Sequence, residues 1–242
     1  MDRRDGPDWV REAVAVVRHD VVRFAATAWQ FSRHPRRFGA AWFAGETQAL
    51  NPIGYLSTSL AVSAAVSALV SALLGASDGG LWGSLANATL PYTYYVVIGV
   101  VCHGVLRLGG SPRPLRASVA IALFAGGGPG LVLTLAIYAT MGLHFALAGS
   151  FHGAVLSGVP PWSAPIFLIL VYVPLMLLLA TLASGLRGLH GATRLRAFVA
   201  IVVALVITAA IFGVLHAIFD LAFNVPHLVL RLPHHVGFDI YF

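Results

Sequence analysis

The stretch Ser184-Gly-Leu-Arg-Gly-Leu-His-Gly-Ala-Thr-Arg-Leu-Arg-Ala197 lies between two long apolar runs, Pro165 to Leu182 and Phe198 to Phe219. Apolar runs of about 20 residues are long enough to cross a bilayer as a helix. Arg187, Arg194 and Arg196 lie between them, and charged groups in hydrocarbon are costly. The stretch must therefore sit at a membrane surface, with one span entering it and another leaving. That constraint threads the rest of the chain.

Composition points the same way. Hydrophobic residues make up 58% of the chain and charged residues only 10%, against about 25% charged in soluble domains. The basic residues are all arginine, and the formal net charge is +6. This positive balance does not imply nucleic acid, because the arginines fall where membrane topology places them. An all-arginine chain rich in alanine and valine points to a GC-rich bacterial genome. Cys102 is the only cysteine, so an internal disulfide is excluded.

Met1 to Asp8 lacks the apolar core and cleavage site of a signal peptide, so this segment is expected to be retained. Trp9 to Phe31 predicts an amphipathic helix. Val10, Val14, Val17, Val21, Phe24, Ala28 and Phe31 recur in alternating steps of four and three, which places them on one face. That face can lie on the cytoplasmic leaflet, with arginines near anionic headgroups, or dock on another helix. Arg33 to Arg37 ends the helix. Phe38, Trp42 and Phe43 then follow a basic cluster, as residues at a membrane interface do.

Five spans are expected: Pro52 to Leu74, Pro91 to Leu108, Ala117 to Met141, Pro165 to Leu182, and Ala197 to Phe219. The first carries Ser59, Ser63, Ser67 and Ser71 in one stripe, a small-residue face that lets helices approach closely. A polar conduction path is the sharper reading of that stripe. The third is interrupted by Gly126, Gly127, Gly128, Pro129 and Gly130. Proline removes a backbone donor, and broken helices at membrane depth form either packing kinks or transporter sites. Loops are expected over Gly75 to Leu90 and Gly142 to Ala164, and Pro226 and Pro233 are expected to break the tail.

Arginine counts orient the spans. Arg3, Arg4, Arg11, Arg18, Arg23, Arg33, Arg36 and Arg37 precede the first. Arg113 and Arg116, with Arg107 at the rim, lie between the second and third. Arg187, Arg194 and Arg196 lie between the fourth and fifth, and the other two connections hold none. The positive-inside rule then places the N-terminus in the cytoplasm and the C-terminus outside the inner (plasma) membrane.

The expected fold is therefore all-α: a polytopic helical bundle of five transmembrane helices plus the amphipathic helix. Residues 1–37 form the cytoplasmic helix and basic segment, 38–219 the membrane domain, and 220–242 an extracytoplasmic tail. Arg107, Arg113, Arg116, Arg187, Arg194 and Arg196 are read as topology anchors or headgroup contacts.

Chemistry-bearing residues are sparse. His216 and Asp220 stand four apart near the outer end of the fifth span and can pair on one helix face. His103, His144, His152 and His216 are candidate general bases, but none has a partner in a known motif. His227, His234, His235 and Asp239 cluster in the tail without zinc-motif spacing. The expectation is no catalytic residue, no cofactor and no metal.

Several motifs resemble the Yip1 domain family. They are Leu50-Asn-Pro52 leading into the first span, Arg107-Leu-Gly-Gly-Ser-Pro-Arg-Pro-Leu-Arg116, Pro129 within the third span, and Gly185-Leu-Arg-Gly-Leu-His-Gly-Ala-Thr-Arg-Leu-Arg-Ala197. The resemblance covers Phe38 to Phe219. It implies a helical bundle with a cytoplasmic N-terminus. Eukaryotic members of the family are linked to vesicle trafficking and small GTPase binding. Where those members carry an acidic, glycine-containing cytosolic motif, this chain has an arginine-rich helix.

The function expected is a non-enzymatic membrane scaffold or accessory subunit. Its partners would be membrane lipids and a membrane protein or a second copy of itself, with no nucleic acid. The alternative is a small transporter or channel component built around the broken third span.

Overall fold

A computed structural model describes residues 8–74, 80–148 and 164–229. Every regular element among them is an α-helix: α1 Asp8–Arg33, α2 Pro35–Phe43, α3 Pro52–Leu74, α4 Gly80–Leu108, α5 Leu115–Gly127, α6 Pro129–Ala148, α7 Ala164–His190 and α8 Arg194–Val229.

Local chemistry sets most of the boundaries. Pro35 pushes His34 off the helical region, to φ −135° and ψ 54°, and so separates α1 from α2. Asn51 caps α3: its Oδ1 accepts the Gly54 N–H at 2.7 Å, and Pro52 opens the helix without wasting a donor. Helix α4 ends at Leu108 and is closed by Gly110, which has φ +89°. Ser111 N–H donates to Leu106 O at 3.2 Å and Gly110 N–H to Arg107 O at 2.9 Å. This paired closure requires a left-handed residue, which glycine supplies without strain. Thr193 caps α8, its hydroxyl accepting the Arg196 N–H at 3.3 Å.

Helix α5 is the centre of the bundle. Its residues from Ala120 to Gly127 are buried without exception, against α4, α3 and α7. Helix α8 lies along α4, α2 crosses the end of α7, and α6 packs on α7 and α3. Small residues permit these approaches. A Cβ on Gly99 of α4 would sit 2.7 Å from the Val119 Cα of α5. A Cβ on Gly39 of α2 would sit 2.7 Å from the Gly185 carbonyl oxygen of α7.

Three helical segments among the described residues are long and apolar enough to cross a membrane: Leu115–Thr140, Leu168–His190 and Arg194–Leu215. The first comprises α5 and most of α6, bent at Gly128. The expected first and second spans fall on α3 and α4, whose described apolar stretches, Pro52–Val66 and Tyr92–Leu108, are shorter.

Several boundaries differ from the sequence reading. The arginine stretch is mostly helix, and only Gly191-Ala192-Thr193 connects α7 to α8. Arg187 therefore sits on α7. Helix α4 begins at Gly80, inside the expected loop, and α6 continues past Gly142 to Ala148. Helix α8 runs through Pro226 to Val229. Helix α2 was not anticipated; tertiary packing on α7 decides it.

Candidate functional site

Two places gather the residues singled out above: the arginine-bearing end of the bundle, and the glycine break between α5 and α6.

At the arginine end, the turn after α4 meets the end of α7 and the start of α8. Arg113 Nε donates to Leu189 O at 2.9 Å, and its guanidinium lies 4.7 Å over the Phe43 ring of α2. Arg196 Nη1 donates to Gly109 O at 2.9 Å. Carbonyls at a helix C-terminus lack intrahelical partners, and cations satisfy them well there. Arg113 and Arg196 thus tie two helix ends, as well as carrying charge. Arg107, Arg116 and Arg194 are exposed. Arg187 is half-buried, and its Nε is buried with no hydrogen-bond partner among the described residues. Next to it, Gly188 abuts the Arg36 carbonyl so closely that a Cβ there would overlap it.

Beneath these arginines runs a chain of polar groups that sequence reasoning missed. Ser111 Oγ is hydrogen-bonded to His190 Nδ1 at 2.6 Å. His190 Nε2 is hydrogen-bonded to Ser118 Oγ at 2.8 Å, and Ser118 Oγ to His103 Nδ1 at 3.2 Å. The chain links the α4–α5 turn, α7, α5 and α4 in that order. It satisfies both ring nitrogens of His190, and it can do so with the hydroxyl hydrogens pointing in either direction. Ser118 beside an imidazole has the distance of an activated nucleophile. Its side chain is 0% exposed, so the hydroxyl serves to join helices. His103, a candidate general base by sequence, is buried beside Ser118. The only signal in the sequence was that His103 stands about one turn inside the expected second span and Ser118 at the start of the expected third.

At the break, Gly128 has φ −100° and ψ −81°. Its N–H donates to Phe124 O, and its own carbonyl accepts the Val132 N–H, each at 3.2 Å. Two tyrosines fill the notch. The ring of Tyr95 from α4 would lie 2.5 Å from a Cβ on Gly126, and its hydroxyl 2.5 Å from one on Gly130. Tyr55 from α3 packs against Gly127, and its hydroxyl would lie 2.5 Å from a Cβ on Gly128. Tyr55 is fully buried, and its hydroxyl has no partner among the described residues. The glycines thus admit aromatic rings from both sides, and Pro129 opens α6 at the bend.

One turn before the break, Phe124 centres an aromatic cluster. Its ring centroid lies 4.9 Å from Phe38, 5.9 Å from Phe31, 5.6 Å from Trp42 and 5.4 Å from Tyr55. Phe24 stacks on Tyr55 at 4.8 Å. Helices α1 and α2 therefore reach the break through their aromatic side chains. Thr27 also accepts the Leu50 N–H at 3.2 Å, which fastens α1 to the segment before α3.

Of the serine stripe, Ser59 and Ser63 are buried, and the side chains of Ser67 and Ser71 lie outside the described ones. His216 and Asp220 fall on α8, and their side chains lie outside the described ones, as do those of His144 and His227. His152, His234, His235 and Asp239 lie outside the described residues. No group of three or more His, Cys, Asp or Glu is placed to hold a metal among the described residues.

No family model, curated protein or solved structure matches the chain.

Proposed function

We propose that this chain is a non-enzymatic scaffold or accessory subunit of the Yip1-like type, embedded in a bacterial inner membrane. On this reading α3, α4, the bent α5–α6 pair, α7 and α8 are five spans. The arginine end faces the cytoplasm and the C-terminus lies outside. The protein binds another membrane protein or lipid. The observation that carries the reading is how the polar groups are used. Ser111, His190, Ser118, His103, Arg113 and Arg196 join helix to helix, which makes a rigid platform at one end. The motifs that resemble the family, Asn51-Pro52 and the two glycine-arginine stretches, are the pieces that cap α3 and build that platform. The outward residues of α7 and α8, such as Leu168, Tyr172, Val202 and Val206, are apolar and exposed, a surface suited to lipid or a second membrane protein. The experiment is affinity capture from membranes in mild detergent. Recovery of a stoichiometric partner or a homo-oligomer is expected; a monomer with no partner would overturn the reading.

A transporter or channel component is the second reading, favoured by the buried, unpartnered Tyr55 hydroxyl at the break. Reconstituted vesicles test it. Flux that Pro129→Ala or Tyr55→Phe alters would support it. No flux of ions or small solutes would remove it.

A further inference from the structure

Helix α1 has two apolar faces, and the bundle covers one. Phe24, Thr27, Ala28 and Phe31 turn inward onto α3, α5 and α2. On the other side Val22 is 60% and Trp29 64% exposed, with Val21 beside them. The Arg33 guanidinium lies 5.3 Å over the Trp29 ring. The outer face thus sets apolar surface beside the Arg33 charge.

The same pairing recurs around this end of the bundle. Leu108, 91% exposed, follows the exposed Arg107. Leu115 precedes Arg116. Leu195 lies between Arg194 and Arg196 and Phe198 follows them, and all four are exposed. Helix α1 belongs to this end, because α2 follows it directly and lies over Gly188 and beneath Arg113.

Counter-charges are scarce. No acid occurs between Asp78 and Asp220, and Glu46 is the only one between Asp20 and Asp78. Asp8, Glu12 and Asp20 lie in the first half of α1, Asp20 beside His19, and Glu46 follows α2; Arg33, Arg36, Arg37, Arg107, Arg116, Arg194 and Arg196 outnumber them and form a cationic rim at this end. Exposed Trp and Val between arginines suit one environment best, the headgroup layer of an acidic leaflet. There the apolar side chains enter the acyl boundary while guanidinium groups meet phosphate.

We propose that the outer face of α1 docks onto the anionic phospholipid headgroups of the leaflet around the arginine end. The helix is then held between the bundle and the lipid, and the acidic lipids gather around this end. The inference deepens the lipid part of the proposed function. It rests only on the chain being membrane-embedded, so failure to capture a protein partner leaves it standing.

The test uses the full chain carrying Val22→Cys, labelled with an environment-sensitive fluorophore. The sole native thiol, Cys102, is fully buried and stays unlabelled. The protein is placed in nanodiscs of phosphatidylcholine alone or mixed with phosphatidylglycerol. Blue-shifted emission is expected in the acidic discs only, and high salt should reverse it. Arg33→Gln and Arg37→Gln should each weaken the lipid-bound state roughly fivefold. Trp29→Cys on the same face repeats the measurement if Val22→Cys folds poorly. Emission identical in both discs at the aqueous value would overturn the proposal. So would an equal, salt-insensitive shift in both, or a shift that follows protein concentration, which would mean a second copy covers the face.

Discussion

Gly188 and His190 stand two residues apart on α7 and act in opposite ways. Gly188 works by lacking a side chain, since the Arg36 carbonyl occupies the space a Cβ would need. Gly188→Leu should push α2 off α7. Overpacking costs about 1–3 kcal/mol, so the expected outcome is a lower melting temperature in detergent and faster proteolysis between α1 and α2. His190 works by what it reaches. His190→Ala removes the imidazole partner of the Ser111 hydroxyl and leaves the buried Ser118 hydroxyl with His103 alone, and each hydrogen bond lost costs about 0.5–1.5 kcal/mol. Ser118→Ala breaks the same chain from the middle. The double variant should therefore lose clearly less stability than the two single losses added together, as coupled neighbours do. Simple additivity in a denaturation series would show the chain to be three independent contacts.

At the scale of elements, the break between α5 and α6 depends on helices that precede it in the chain. Phe124 receives Phe31, Phe38, Trp42 and Tyr55, drawn from α1, α2 and α3. Phe124→Ala should open a cavity at this junction, with a loss of about 3–5 kcal/mol. Helices α1 and α2 should then become accessible to hydrogen exchange before α7 and α8 do. Protection lost evenly across all helices would contradict a local role. Element boundaries were legible in the sequence wherever a local signal sets them. Asn51 and Pro52 open α3 at the residue expected. Gly128 and Pro129 bend the third apolar run where the glycines cluster. Helix α2 was illegible because small residues alternate with aromatics over Phe38 to Phe43. That pattern becomes helical only against the glycines of α7.

At the scale of the molecule, the arginine-rich turns converge although they are distant in the chain. Arg196 reaches Gly109 and Arg113 reaches Leu189. Arginine spacing made the shared end foreseeable, because charges excluded from hydrocarbon must gather at a surface. It did not foretell which carbonyls they would bond, nor that His190 would meet Ser111, because pairings over such separations leave no periodic trace. The candidate site was therefore legible as a location, and its internal bonding was not. Replacing Arg187, Arg194 and Arg196 together with Gln should disturb the threading. Reporter fusions at the 109–114 turn and at the C-terminus should then show mixed orientation. Unchanged reporters with lost lipid or partner binding would make contact the main role of these arginines, with anchoring second.

The chain from Ser111 through His190 to Ser118 bears on how the protein is made. Ser118 and the turn at Ser111 are synthesised long before His190, and Gly109 long before Arg196. While the ribosome is still working on the later helices, α5 must wait in the bilayer with its hydroxyl and its bend uncovered. A nascent chain halted before α7 should therefore remain a substrate for membrane chaperones and quality-control proteases. Completion of α7 and the first turn of α8 is the step that closes the structure and ends that vulnerability.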